Sequence, residues 1–191
     1  LQSYGGYGYC EDYPAASATR DCKIWSIWEG TNYIQALDLI GRKMTMKNGR
    51  VFASFIQEME VFCATHLGKG QFELEFANLN RALSAYQKIR KTLMNFAQNQ
   101  HMDLAAVYAR RILTATAQLY GGRLILDQAL LAAERLAQLD SDHHDRAFYQ
   151  GKIDAARYYL LNVVPNVWMT AEIIEAADTS VLDISSESFD Y

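Results

Sequence analysis

Proline is nearly absent from this 191-residue chain: Pro14 and Pro165 are the only two. Residues 50–191 therefore contain a single residue that forbids a continuing helix. Cysteine is also scarce. Cys10, Cys22 and Cys63 make an odd set with no Cys-x-x-Cys pair, which excludes a disulfide framework and a cysteine zinc site and fits free thiols in a reducing compartment. No long hydrophobic run is present either. The longest uncharged stretch, Tyr158 to Ala171, is too short to span a bilayer and contains Pro165, so no transmembrane segment is expected. There is no excess of positive charge: the net charge is -4 and the basic residues read as scattered among acids. A nucleic-acid partner is not expected.

What is there is apolar and helical. Half of the residues are hydrophobic, enough for a buried core, and no segment is repetitive or of low complexity. Residues 1–13, rich in Gly and Tyr, predict a turn-laden entry, and Pro14 is placed to open a short helix reaching about Asp21. Cys22 to Gly30 reads as an ordered loop. Thr31 can cap the next helix, whose Ile34, Leu37, Leu39 and Ile40 lead toward Met44, with Lys47-Asn48-Gly49 as a polar stop.

From Arg50 the helical period dominates. A first helix carries Phe52, Phe55, Ile56, Met59 and Phe62 to His66, and Leu67-Gly68-Lys69-Gly70 ends it. Phe72, Phe76, Leu79, Leu83, Tyr86, Leu93 and Phe96 predict a second, to about Gln100, with Ile89 in the wider step. A third starts near Met102, with Gly121-Gly122 expected to bend or loosen it midway, and a fourth, capped by Ser141 or Asp142, ends before Pro165. Short polar connections between long amphipathic helices favour antiparallel neighbours. The expectation is an all-α chain in which residues 50–164 form an up-down four-helix bundle, followed by a frayed acidic tail over Ser185 to Tyr191.

One carboxylate stands out. Glu29 lies between Trp28 and Gly30, with Ile24 and Ile27 nearby. A carboxylate beside such an apolar wall is partly desolvated, which raises its pKa and suits it to proton abstraction, while Gly30 lets backbone approach a ligand closely. By spacing alone, Glu29 reads more readily as an acid favoured by the positive end of the following helix. The Asp142-His143-His144-Asp145 cluster reads as helix capping, and no metal site is expected.

Gln2-x-x-Gly5-Gly6, Gly8-Tyr9, Tyr13-Pro14, Arg20-Asp21, Lys23-Ile24 and Trp28-Glu29-Gly30-Thr31 ahead of Ile34-Gln35 occur in one order and spacing. Together they resemble the C-terminal region of the acyl-CoA dehydrogenases. The resemblance implies that residues 1–49 end that family's C-terminal helical domain, and that residues 50–191 are an additional helical bundle found in longer relatives. It also implies that the chain is a fragment of a subunit whose N-terminal helical and middle β-domains lie elsewhere.

By the same resemblance, Glu29 removes the α-proton of an acyl-CoA thioester while the β-hydrogen leaves as hydride to FAD, giving a trans-2-enoyl-CoA. Glu29 and Gly30 would hold the substrate, with the Glu29 backbone N–H on the thioester carbonyl. Thr31 would approach the flavin, and Gln2, Gly5 and Gly6 the FAD of a neighbouring subunit in a homo-oligomer. Arg20 and Asp21 would hold the Glu29 loop. The sequence departs from the pattern at Tyr33, where many relatives carry Gln. An electron-transferring flavoprotein is the implied acceptor, in an intracellular compartment. The alternatives are an acyl-CoA oxidase using dioxygen and a non-catalytic helical interaction module. The fragment alone is expected to be inactive.

Overall fold

Pro14 stands at the first helical position, where its missing N–H leaves no bond unmade, and opens α1 (Pro14–Ile24). The structure, a computed structural model, describes residues 1–28, 32–68 and 70–189. Ahead of α1, Gln2–Tyr9 forms a 3-10 turn broken at Gly5. The helix runs past the expected end at Asp21 to include Cys22, Lys23 and Ile24. No glycine or proline stands between Pro14 and Gly30, so nothing local stops it.

The second helix, α2 (Asn32–Asp38), continues into a π-helical turn over Leu39–Lys43. Arg42 clamps that turn by donating Nε and Nη2 to the two carboxylate oxygens of Asp38, at 2.6 and 2.9 Å. Lys47, Asn48 and Gly49 then take φ values of 51, 58 and 77°. That left-handed run is the polar stop the sequence announces.

Five helices follow: α3 (Arg50–His66), α4 (Glu73–Gln98), α5 (Met102–Gln138), α6 (Arg146–Asn162) and α7 (Asn166–Glu175). No strand occurs among the described residues, and the chain is all-α. The 37-residue α5 is the spine, touching α2, α4, α6 and α7, while α3 lies along α4. Leu79, Tyr86 and Ile89 of α4 meet Ile112, Leu119 and Leu126 of α5, with Leu160 and Ile174 closing the core; all are fully buried. Burying each such side chain is worth about 1.5–3 kcal/mol relative to leaving it in water.

The bundle has one helix more than the periodicity suggests. The chain turns at Val163–Pro165, and α7 buries Val167, Ala171 and Ile174 against α4 and α5. Within the Tyr158 to Ile174 stretch, apolar residues thus divide between core and surface: Val164 is buried and Tyr158 exposed. Among the described residues no helix is long and apolar enough to cross a membrane. The tail forms a 3-10 turn at Ser186–Phe189, fully on the surface, and Tyr108 Oη donates to the Asp178 carbonyl at 3.3 Å just upstream.

Two expectations are corrected at the α5–α6 hairpin. Gly121 and Gly122 do not loosen α5, which is continuous through them. They are the contact point: a Cβ on Gly122 would lie 2.8 Å from Val164 Cγ2 and 3.4 Å from Leu79 Cδ1, and one on Gly121 would lie 2.8 Å from Tyr159 Oη. Two missing side chains allow neighbouring helices to approach α5 closely. Gly121→Ala meets only the end of a half-buried tyrosine, and alanine is the better helix former by about 0.8–1.0 kcal/mol. We expect its melting temperature to be unchanged or slightly higher.

The second correction concerns the start of α6. Neither Ser141 nor Asp142 caps it; the helix begins at Arg146, and the Asp145 side chain makes no capping bond. Instead, Arg146 Nη1 donates to the Leu136 and Leu139 carbonyls, at 3.2 and 2.9 Å. A cation at the carbonyl end of α5 satisfies groups that the helix cannot pair internally. The turn between is closed by Asp145 N–H donating to His143 Nδ1.

All three cysteines are free, with Cys10 and Cys22 exposed and Cys63 buried. Burial pushes the Cys63 thiol up to about 11 from 9.0. An acid raised on folding contributes stability that is complete below its unfolded pKa and lost as pH rises toward the folded value. At pH 8, iodoacetamide should therefore label Cys10 and Cys22 and spare Cys63 until denaturant is added, as read by peptide mass mapping.

Candidate functional site

The N-terminal motif folds around Tyr13. Its ring sits 5.6 Å from Tyr4 and 5.8 Å from Tyr7, fastening the 3-10 turn to the residue just before α1. Gly8 is buried in that turn, where a Cβ would come 2.5 Å from the Leu1 carbonyl oxygen. Tyr13 and Gly8 thus both hold the turn ahead of α1.

Gln2, Gly5 and Gly6 occupy the outer side of this turn, all exposed. Gly5 has φ 57° and ψ -137°, a conformation that only glycine adopts without strain. A Cβ at either Gly5 or Gly6 would meet nothing within 4 Å. The backbone there is open to a ligand that requires close approach, and an FAD pyrophosphate is such a group.

Arg20 does not pair with Asp21. It forms a two-pronged ion pair with Glu11, Nη1 to Oε1 at 2.7 Å and Nη2 to Oε2 at 3.1 Å. The Arg20 side-chain hydrogen bond holds the Glu11 carboxyl below its usual range, even though both groups are exposed. Arg20 therefore ties α1 to the segment before it, and the expected role in holding the Glu29 loop falls on residues outside those described. Glu11 gave no sequence signal, because nine residues of separation follow no helical or strand period.

At the far end of α1 the backbone keeps turning, with Ile27 and Trp28 N–H both donating to the Ile24 carbonyl. Glu29, Gly30 and Thr31, the candidate base, its glycine and the candidate cap, lie outside the described residues. What brackets them is defined: α1 ends at Ile24 and α2 begins at Asn32. The expected apolar wall is present but faces outward, with Ile27 62% and Trp28 67% exposed. Ala36 anchors α2, fully buried where α2 packs on α5.

The glycine turn precedes α1 in the chain and Trp28 follows it, with eleven helical residues between them. Elsewhere, His143 and His144 stack on each other with His144 Nε2 3.3 Å from Asp145 Oδ1. Among the described residues no group of three or more His, Cys, Asp or Glu could hold a metal ion.

Residues 55–185 match the family described as "Acetyl-CoA dehydrogenase C-terminal like", and residues 1–45 match "Acyl-CoA dehydrogenase, C-terminal domain". The chain belongs to the acyl-CoA dehydrogenase family. It is 44% identical over 99% of its length to a butyryl-CoA dehydrogenase of Syntrophomonas wolfei, of which it covers 31%. Against the broad-specificity linear acyl-CoA dehydrogenase FadE5 of Mycobacterium tuberculosis it is 30% identical, covering 99% of the chain and 32% of the relative. The 3-methylmercaptopropionyl-CoA dehydrogenase of Ruegeria pomeroyi is 31% identical over 94% of the chain and 29% of the relative. The chain thus spans about a third of the length of these relatives.

Proposed function

We propose that the intact protein is an FAD-dependent acyl-CoA dehydrogenase, with Glu29 as the base that takes the α-proton of the thioester. The observation that carries the reading is Trp28-Glu29-Gly30-Thr31 set between α1 and α2, within a sequence that aligns along nearly its whole length with acyl-CoA dehydrogenases. A thioester α-proton is a weak acid, so the step needs a stabilised enolate oxygen in a site that excludes water. Gly30 permits close backbone approach, and the Glu29 N–H is the donor for the carbonyl. When bound, FAD supplies the two-electron acceptor for the β-hydrogen.

Gln2, Gly5, Gly6 and Thr31 are the cofactor contacts we assign. We assign the glycine turn and Thr31 to two different cofactors, as the family resemblance implies for a homo-oligomer with sites shared across subunits. The division at residues 49 and 50 fits this reading, with the catalytic loop in the first part and a supporting bundle in the second. Ile24, Ile27 and Trp28 are exposed on this chain, so its residues alone do not enclose a dry site. Residues 1–191 by themselves should retain no flavin and oxidise no acyl-CoA.

Two relatives named butyryl-CoA dehydrogenase make a short, straight acyl group the first substrate to try. An electron-transferring flavoprotein is the proposed acceptor, in a reducing compartment that suits three free thiols. The test is anaerobic bleaching of the flavin band of the intact protein with acyl-CoAs of graded length. Bleaching that is fastest with four-carbon butyryl-CoA supports the proposal. Absence of bleaching with every thioester would sink it, and rapid oxygen consumption on admitting air would replace the dehydrogenase by an oxidase.

A further inference from the structure

Charge is not scattered along this chain in the way its acidic balance suggests. Residues 76–126 contain seven Lys or Arg against one acid, Asp103, and no Lys or Arg follows Arg157. The fold gathers part of that excess into a groove of about 600 Å³ between α5 and α7, lined by Arg110, Arg111, Thr114 and Gln118 on one side and Asn166 and Thr170 on the other. No carboxylate lines it.

Most of the hydrogen-bonding capacity of these groups is unspent among the described residues. Neither Arg110 nor Arg111 is in an ion pair among the described residues, whereas Arg20, Arg42, Arg123 and Arg157 each have an acid. Thr114 donates its hydroxyl to the Arg110 carbonyl and Asn166 one amide hydrogen to the Val163 carbonyl. That leaves two guanidinium forks, the second amide hydrogen of Asn166, the Gln118 amide and the Thr170 hydroxyl facing one space. These are mostly donors, and forked ones.

From this arrangement we infer that the α5–α7 groove binds a soluble phosphate monoester of about nucleotide size. Guanidinium forks match phosphate oxygens in pairs, which a carboxylate satisfies only once. The volume falls in the range of small-molecule sites and exceeds what a bare phosphate fills, leaving room for an organic part. Val107 is the one apolar side chain of the lining, which has no aromatic ring, so the phosphate and not a stacked base carries recognition.

The experiment is calorimetric titration of the intact protein with adenosine 5′-monophosphate, inorganic phosphate and adenosine, repeated with Arg110→Gln, Arg111→Gln and Arg111→Lys. Binding of the monophosphate and of phosphate but not of adenosine is expected. Each Gln variant should weaken binding about tenfold, and Arg111→Lys by less than Gln, since it keeps the charge and loses the fork. Unchanged acyl-CoA bleaching of the flavin shows that each variant is folded. Equal affinity in wild type and the Gln variants, or no heat at millimolar ligand, overturns the site. Flotation with vesicles containing phosphatidic acid, but no binding of soluble phosphates, would overturn the soluble ligand in favour of a lipid headgroup.

Discussion

Replacing Glu29 by Gln in the intact protein should slow reduction of the flavin by acyl-CoA by about 10²–10⁴-fold or more, the range a positioned general base contributes. Gln keeps the size of the side chain and its backbone N–H but cannot accept the proton. Binding of the thioester should therefore persist, so the loss falls on the rate of bleaching and not on the concentration of acyl-CoA that half-saturates it. Stopped-flow absorbance under anaerobic conditions separates the two. Equal bleaching in wild type and variant would move the base elsewhere in the subunit. If neither protein bleached, the non-catalytic helical module would be the better reading.

Placing a leucine at Gly122 should destabilise the fold by about 3 kcal/mol, at the upper end for overpacked cores. Its first added atom would already lie 2.8 Å from Val164 Cγ2 and within 3.6 Å of Leu79 and Leu160, three buried side chains from three different segments. None can swing away, because each is fixed by the core around it. The neighbouring Gly121→Ala is the internal comparison. A denaturant midpoint that falls for Gly122→Leu while that of Gly121→Ala holds or rises would identify Gly122 as a packing contact with no room for a side chain. If the two variants behave alike, helix propensity and not packing governs this stretch.

The helices of residues 50–138 were legible because apolar residues at steps of three and four mark both the helix and its buried face. Arg50–His66 emerges with the bounds its Gly49 and Leu67 neighbours suggest, and α4 and α5 differ from expectation by at most a few residues at their ends. Less legible was whatever depends on a partner remote in sequence. Arg20 next to Asp21 suggests a local pair, yet the guanidinium reaches Glu11. Gly121-Gly122 suggests a weak point, yet α5 runs through it because α6 and the turn after it press against the gap.

The candidate site divides in the same way. Its residue types and order, from Gln2 to Gln35, are sequence properties and place the chain in its family without coordinates. The outward face of Ile27 and Trp28 is a structural property. The groove with Arg110 and Arg111 is the same kind of case: a run of basic residues is visible in the sequence, but the uncharged wall opposite comes from α7, more than fifty residues later.

By itself the sequence determined the all-α class, the positions of the main helices and the family, because helical periodicity, glycine and proline punctuation and an ordered set of motifs are local. Tertiary structure decided that α7 joins the bundle, that two glycines are a contact and not a hinge, and which arginines are left without an acid. Each of those depends on which surfaces meet, and no local period carries that information.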